Sequence, residues 1–548
     1  MSILRSLIKD LLSREPRSEQ ARVVKNLHIS LAEQGQLDEG VAHYREILAR
    51  QPANTDALFN LALIDEGRGN ENEAIAGFRR VIALDPRHHG AQLRLAHMLQ
   101  MRCEWSGLDA MIQDVRQAVH QNFSARQEDF LSAFAFLGLP GTTAAEEKLC
   151  AQRYARLEFQ PPSLDAFRAS LGFDFNRPPD DRIRIGYLSA DFRRHPVAQL
   201  MVETFEQHDR KRFHITAYAY GRDDGSEMRK RLERTFDDFV DVREFTLEAT
   251  ARKIYEDRID ILVDLTGYTR DTRSAVLALR PAPIQVNFLG YPGTMGADFV
   301  DYIIADNFVI PPELEQHYSE KVMRMPDCFL PNHRGGARPA PASRKEFGLP
   351  EDGIVFCCFN QPFKITQAFF DVWCRLLREV PGSVLWLSGR NAVAMENLKR
   401  EAAARGIGAE RLVFAATSLS DEKHLARMQC ADLFLDTSPY NAHTTCSEAL
   451  AMGLPVVTCA GDTFASRVAG SMLTAIGAPE LVSYSVETYY QLALDLATHP
   501  DKLDALRRKI VASRDSAPWF DRARFTRNLE QCYTRMAETR TGPGGGRP

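Results

Sequence analysis

Four short stretches of this sequence hold residues whose types and spacing could do chemistry. In "SADFRRHP", Ser189 to Pro196, Asp191 and His195 follow an apolar run four residues apart, and Pro196 is placed to start a helix. A carboxylate beside an imidazole at such a turn is a proton-transfer pair. His195 is the candidate base, because imidazole titrates near neutral pH, and Asp191 is its rival. In "CCFNQPFKIT", Cys357 to Thr366, Lys364 lies between an apolar run and an amphipathic segment, where a compact cation suits a phosphate. In "DTSPYNAHTTCSEAL", Asp436 to Leu450, His443, Thr444 and Thr445 open a helix with Glu448 in its first turn. The free amides of a helix start attract an anion. A Thr cap closed by Glu448 in a capping box is the plainer reading, and the two are compatible. In "LGYPGTMG", Leu289 to Gly296, three glycines let the backbone approach something closely. No GxxxxGK[ST] string is present and no GxGxxG follows a strand, which disfavours nucleoside triphosphatases of the P-loop type and dinucleotide enzymes.

These stretches need strands to place them. From Arg182 onward, apolar runs rich in Val, Ile and Phe alternate with helix-length amphipathic segments, the mark of parallel α/β sheets. Strands are expected at Ile183–Ser189, Phe213–Tyr220, Ile259–Leu265 and Ile284–Leu289. A second set is expected at Ile354–Phe359, Val384–Leu387, Leu412–Ala415, Leu433–Asp436 and Val456–Cys459. Between the sets, "NHRGGARPAPAS" (Asn332 to Ser343) reads as a linker. Two doubly wound sheets in series imply a cleft between domains, with ligands beyond the carboxyl ends of the strands.

The first quarter repeats at a period of 34 residues. Leu27, Leu61 and Leu95 fall in register, as do Gly35 and Gly69, Tyr44 and Phe78, and Pro52 and Pro86. Ala62, Ala74 and Ala96 are small where paired helices would meet. This resembles the tetratricopeptide repeat, with units at about 21–54 and 55–88 and a degenerate third at about 89–122, where Cys103 takes the glycine position. Such a stack offers a protein-binding surface or a scaffold.

The formal charge of -5 over 548 residues argues against general nucleic-acid binding. Residues 1–20 read as an amphipathic helix, without the cleavage site of a signal peptide. No segment has the length of apolar sequence that a membrane span needs. The ten cysteines lack CxxC pairs, which points to a reduced, cytoplasmic chain with no metal centre.

Taken together, the clusters resemble the tetratricopeptide-containing protein O-glycosyltransferases typified by the O-GlcNAc transferases. The resemblance runs from the repeats to about Tyr533. It rests on "RCEWSGL", "RIRIGYLSADFRRHP", "GYTRDTRSAVLALRPAPIQVNFLGYPGT", "DYIIAD", "FNQPFKI", "VPGSVLWL", "ADLFLDTSPYNAHTT" and "GDTFASRVAGS". It implies helical repeats followed by a GT-B fold, two Rossmann-like domains facing a cleft. The expected layout is the helix at 1–20, repeats at 21–122, a helical bridge at 123–180 and the first catalytic domain at 181–333. A linker at 334–343, the nucleotide-sugar domain at 344–535 and a disordered tail at 536–548 complete it.

By the same resemblance Lys364 matches the family lysine on the diphosphate, and Gln361 a neighbouring donor contact. His424 and Arg427 match residues at the nucleotide. His443, Thr444 and Thr445 match the string that meets the sugar and diphosphate, and Glu448 the ribose-binding acid, where the family often has Asp. Leu289 and Gly290 match backbone contacts to the donor sugar. Asp191 and His195 match residues beside the acceptor hydroxyl, where a donor phosphate oxygen is a third candidate for the base, and Arg273 matches a basic residue along the acceptor peptide. The implied reaction is inverting transfer of a sugar, GlcNAc from UDP-GlcNAc, to Ser or Thr hydroxyls of a protein held by the repeats. It needs no metal or other cofactor. Asp180-Asp181 and Asp223-Asp224 read as solvated turns and not as a metal-binding acidic pair. The same fold could serve UDP-glucose, GDP-fucose or a non-protein acceptor, and an inactive repeat adaptor is the reading from another class. Departures from the family pattern lie at Arg194, Val197, Gln199 and Phe363, all around the sugar and acceptor.

Overall fold

A computed structural model of the protein describes residues 34–121, 131–160, 163–178, 180–332, 339–416 and 420–541. The helix expected at 1–20, Leu27 of the first repeat, half of the linker and the last seven residues lie outside these. Helices Thr55–Arg68 and Glu71–Leu84 form one repeat, joined through Gly69, whose φ of +78° a glycine adopts without strain. Small residues set their approach: a Cβ on Gly77 would lie 2.8 Å from that of Ala62. Phe59 and Phe78 fill the space beside it, ring centroids 5.7 Å apart.

The next unit pairs His89–Met101 with Leu108–Ala118. Cys103, in the glycine position, keeps the left-handed turn at φ +48°, which strains a residue with a Cβ. Its buried thiol faces the Pro362 carbonyl, 3.7 Å away. Asn397 in turn donates to the Arg102 carbonyl at 2.8 Å. This third unit is therefore docked on the α/β region and is not a free surface.

Seven parallel strands form the first sheet: β1 (Ile183–Ser189), β2 (Phe213–Ala219), β3 (Asp238–Asp241), β4 (Ile261–Asp264), β5 (Ile284–Asn287), β6 (Tyr302–Asp306) and β7 (Lys321–Met325). Their spatial order is β3-β2-β1-β4-β5-β6-β7. The second sheet holds β8 (Val355–Cys358), β9 (Val384–Ser388), β10 (Leu412–Ala415), β11 (Leu433–Leu435), β12 (Val456–Cys459) and β13 (Val482–Ser483), in the order β10-β9-β8-β11-β12-β13. Central strands are buried on both faces, as parallel sheets covered by helices require. In both sheets the winding reverses beside the first strand, between β1 and β4 and between β8 and β11. Crevices open at such switch points.

Four strands escaped the reading of periodicity. β3 (DFVD) and β7 (KVMRM) are edge strands that carry charge, β13 has two residues, and β6 (YIIAD) is a buried run bounded by Asp301 and Asp306.

The second domain is laced back onto the first. Helix Arg522–Thr541 runs past the boundary expected at 535 and lies on the first sheet's side. Tyr533 Oη meets Tyr187 Oη at 3.0 Å, Tyr187 Oη meets His208 Nε2 at 2.9 Å, and Glu530 accepts from His208 Nδ1 at 3.0 Å. All four side chains are buried. Ser471 donates to Asp306 at the end of β6, 2.6 Å away, and Trp519 Nε1 donates to Leu330 O at 2.8 Å.

Tyr533→Ala should therefore lower stability by about 3–5 kcal/mol, as for a large buried ring, whereas Tyr533→Phe should lose only about 1 kcal/mol. Thermal midpoints of the two variants test this. Equal midpoints would mean that the ring does not hold the domains together.

Candidate active site

Asp436, directly after β11, organises the second domain's half of the crevice. Its fully buried carboxylate accepts from the amides of Ala442 (2.7 Å) and Thr437 (2.8 Å), from Thr458 Oγ1 (2.7 Å) and from Asn360 Nδ2 (3.2 Å). These donors come from β12, the end of β8 and the loop itself, so one side chain shapes the whole turn. Lys364 ends the short 3₁₀ turn Pro362–Lys364 after β8. Its Nζ donates to the Asn441 carbonyl at 2.8 Å and sits over the Tyr440 ring, 4.1 Å from the centroid. Burial brings Lys364 down to about 8, opposed by the charge of Asp436, and raises Asp436 to about 6. An ammonium with one protein acceptor and two donors to spare is prepared for an anion.

The same loop delivers a helix start. His443 precedes helix Thr444–Ala451, and no side chain caps it. The capping box expected from Glu448 is not formed. Glu448 lies a turn further in and accepts from His424 Nε2 at 2.9 Å. The open amide end at Thr444 and Thr445 is available to a negative group. The His443 ring stacks on Tyr440 at 4.9 Å and donates through Nε2 to Ala465 O at 3.3 Å. Burial and the neighbouring Lys364 hold this imidazole well below its ordinary range, so it is neutral.

His424 and Arg427 project from helix Asp421–Met428, and with Glu448 they form one group. Arg427 is buried, its guanidinium 4.2 Å from the Phe359 ring centroid. Its Nε has no partner among the described residues, and burial lowers the group to about 10 against the pull of Glu448. Gln361, half-buried, precedes the lysine turn and accepts the Lys364 amide on its carbonyl at 3.0 Å.

On the first domain, Asp191 and His195 lie past β1. His195 caps helix Pro196–Gln207: Nδ1 accepts the Val197 amide at 3.3 Å and lies 3.4 Å from Asp191 Oδ1. A neutral ring that accepts through Nδ1 carries its proton on Nε2, so it offers a donor there. Burial, with Arg193 nearby, lowers His195 to about 4. The expected titration near neutral pH is thus overturned, because the imidazole is desolvated. Asp191 moves the other way. Burial raises it to about 7, helped by Asp271 and Asp264 and opposed by Arg193.

Leu289 sits at φ +70°, and Gly290 follows it tightly, since a Cβ there would lie 2.0 Å from Leu265 O. Gly293 faces Leu137 at 3.3 Å and Gly296 faces the Gln152 amide at 2.4 Å by the same measure. The glycines approach the protein's own chain. Arg273 commits both terminal nitrogens to the carbonyls of Val242 and Arg243, at 2.7 and 2.8 Å, and covers Tyr220. That makes it a brace between the loop after β3 and Tyr220. Of the expected solvated acids, Asp224 accepts the Arg194 amide at 2.9 Å and steadies the His195 loop, and Asp180 pairs with Arg258 at 2.8 Å.

Reading the sequence missed Asp436, Asn360, Tyr440, Asn441 and Thr458 as site residues. An Asp directly after an apolar strand was the available signal, but its partners come from three separate segments.

A profile of glycosyl transferase family 41 matches residues 103–335 and 337–529. A protein of Arabidopsis thaliana described as a probable UDP-N-acetylglucosamine–peptide N-acetylglucosaminyltransferase, SEC, is 34% identical over 459 residues, covering 81% of this chain and 46% of that protein. The UDP-N-acetylglucosamine–peptide N-acetylglucosaminyltransferase of Caenorhabditis elegans is 29% identical, covering 80% of this chain and 48% of that protein. The chain spans about half the length of these curated relatives. A mutant O-GlcNAc transferase of Thermobaculum terrenum superposes with a TM-score of 0.73 at 28% identity, over 96% of this chain and 98% of that one.

Asp436→Asn should cost about 3–5 kcal/mol, because an amide turns one acceptor into a donor and strips the buried Lys364 of its counter-charge. Thr458→Val removes one donor and should lose about 1 kcal/mol. Thermal midpoints of the two variants decide: similar small shifts would mean that the carboxylate does not organise the loop.

Proposed function

The chain belongs to glycosyl transferase family 41, and on that premise we propose that it is an inverting glycosyltransferase that moves GlcNAc from UDP-GlcNAc to Ser or Thr hydroxyls of proteins. The observation that carries this reading is the convergence at one switch point of a buried ammonium, an uncapped helix start and the His424–Glu448 pair. The first two suit a diphosphate and the third suits the hydroxyls of a ribose. The relatives that act on peptides with UDP-N-acetylglucosamine supply the choice of donor and acceptor.

In this reading the diphosphate leaves against Lys364 and the amides of Thr444 and Thr445. They are in place before reaction and meet charge as it develops, which is where electrostatic catalysis acts. Gln361 and Arg427 border the donor, and the Leu289–Gly290 backbone meets its sugar. Asp191, raised towards neutrality, takes the hydroxyl proton, while His195 Nε2–H holds the acceptor or sugar in place. No metal is needed to bind the leaving group. The repeats and the loop braced by Arg273 receive the acceptor protein. Ten free, buried thiols suit a reducing, cytoplasmic setting.

The reading is tested by incubating the pure protein with UDP-[14C]GlcNAc and candidate acceptor proteins in EDTA. Label should pass to Ser or Thr at an undiminished rate, and strict dependence on added Mg²⁺ or Mn²⁺ would refute the assigned role of Lys364. Replacing Lys364 with Ala should lower transfer on the order of 100-fold or more without unfolding the protein.

The pH profile follows from the two shifted groups. A base works deprotonated, so kcat/KM should climb as pH rises through about 7, where Asp191 loses its proton. The diphosphate needs the ammonium, so kcat/KM should fall as pH rises through about 8, where Lys364 loses its own. Asp191→Asn should abolish the acid limb. An acid limb that survives in this variant would assign it to another group.

A further inference from the structure

The turn that carries Lys364 is held from outside its own domain. Pro362–Lys364 is only three residues long, and two backbone bonds close it. Its outer side is covered by the third repeat and the bridge. The buried Trp105, between the two helices of that repeat, donates from Nε1 to the Ile365 carbonyl at 3.2 Å, and its ring packs on Phe370 with centroids 5.4 Å apart. The Phe363 ring lies against His97 at 5.3 Å and against Gly138, where a Cβ would come within 3.2 Å. Residues far away in sequence thus fix both the carbonyl after the lysine and the side chain before it.

We propose that Trp105 is a positioning residue for the donor site: by holding the Ile365 carbonyl it fixes the turn that aims Lys364 at the diphosphate, which makes the third repeat part of that site. The inference rests on the donor reading above. It gives the degenerate unit a role separate from acceptor binding. The unit departs from the repeat signature where it makes these contacts: Cys103 occupies the glycine position with its thiol on Pro362, and Trp105 follows two residues later. Lys364 Nζ is placed against the Asn441 carbonyl and the Tyr440 ring, so a shift of the turn that carries it would move it off both.

The test uses the full chain with Trp105→Phe, which keeps an aromatic ring and deletes the N–H. UDP binding by calorimetry and steady-state transfer to an acceptor protein are measured across pH. UDP should bind about fivefold to tenfold more weakly, kcat should fall by a similar factor, and KM for the acceptor should stay within twofold. The basic limb assigned to Lys364 should move up towards the ordinary lysine range, because a loosened turn lets water reach the ammonium. A defect in folding alone would lower active enzyme without moving that limb. Asn397→Ala loosens the same corner through the Arg102 carbonyl and should shift UDP affinity in the same direction, which decides the matter if Trp105→Phe folds poorly. Wild-type UDP affinity and an unmoved limb in both variants overturn the positioning role and leave the donor reading intact. Failure of the unaltered protein to bind UDP would overturn both.

Discussion

A carboxylate placed inside a protein must be matched by donors or by charge, and Asp436 imposes that requirement on everything around it. Its four donors come from the ends of two neighbouring strands and from its own loop. Once the loop has that shape, the Asn441 carbonyl faces Lys364 and Tyr440 lies under the ammonium. Helix Thr444–Ala451 then begins with its amides unspoken for. The cation stays in an interior position because the anion is there, and the anion is tolerable because the cation and the donors are there.

The other half of the site answers to a different constraint. Ser471 and Arg467 tie the second domain to the loop after β6, and the bridge acts as a third body between the remaining loops of the two sheets. The bridge serves as that wedge: Leu137 meets Gly293, Gly138 meets Phe363, and Gln152 meets Gly296. Glu147, buried and pushed well above the usual carboxylate range by desolvation, lies between Thr463 of the second domain and Tyr291 of the first. A neutral carboxyl can sit at such a junction, whereas an ionised one would need a partner.

The strands that carry chemistry were legible because they are buried on both faces and end in turn residues: β1 and β12 fall where periodicity placed them. Edge strands were not, since β3 and β7 present charge to water and carry no apolar run. The clusters at strand ends were legible as places, less so as chemistry. Spacing put Asp191 beside His195, but only burial shows that the imidazole is driven below neutrality and the carboxyl towards it. Glu448 sits where a capping box would use it, yet His424, 24 residues upstream on another helix, is its partner. The 34-residue period identified the repeats, while the docking of Trp105 depends on a carbonyl 260 positions away. Local pattern reports what a residue can do, and tertiary contact decides which of those things it does.

The lacing of helix Arg522–Thr541 onto the first sheet bears on how the molecule is made. Tyr187, at the centre of β1, finds its hydroxyl partner 346 residues later. At about 5–20 residues per second, a ribosome needs roughly 20–70 s to pass from one to the other. From the end of β7 at Met325 onward the first sheet is complete in sequence but lacks the helix that seals Tyr187 and His208 from water. The domain synthesised first is therefore finished last, and an exposed aromatic face must wait on the emerging chain until the second domain has folded and brought its final helix back.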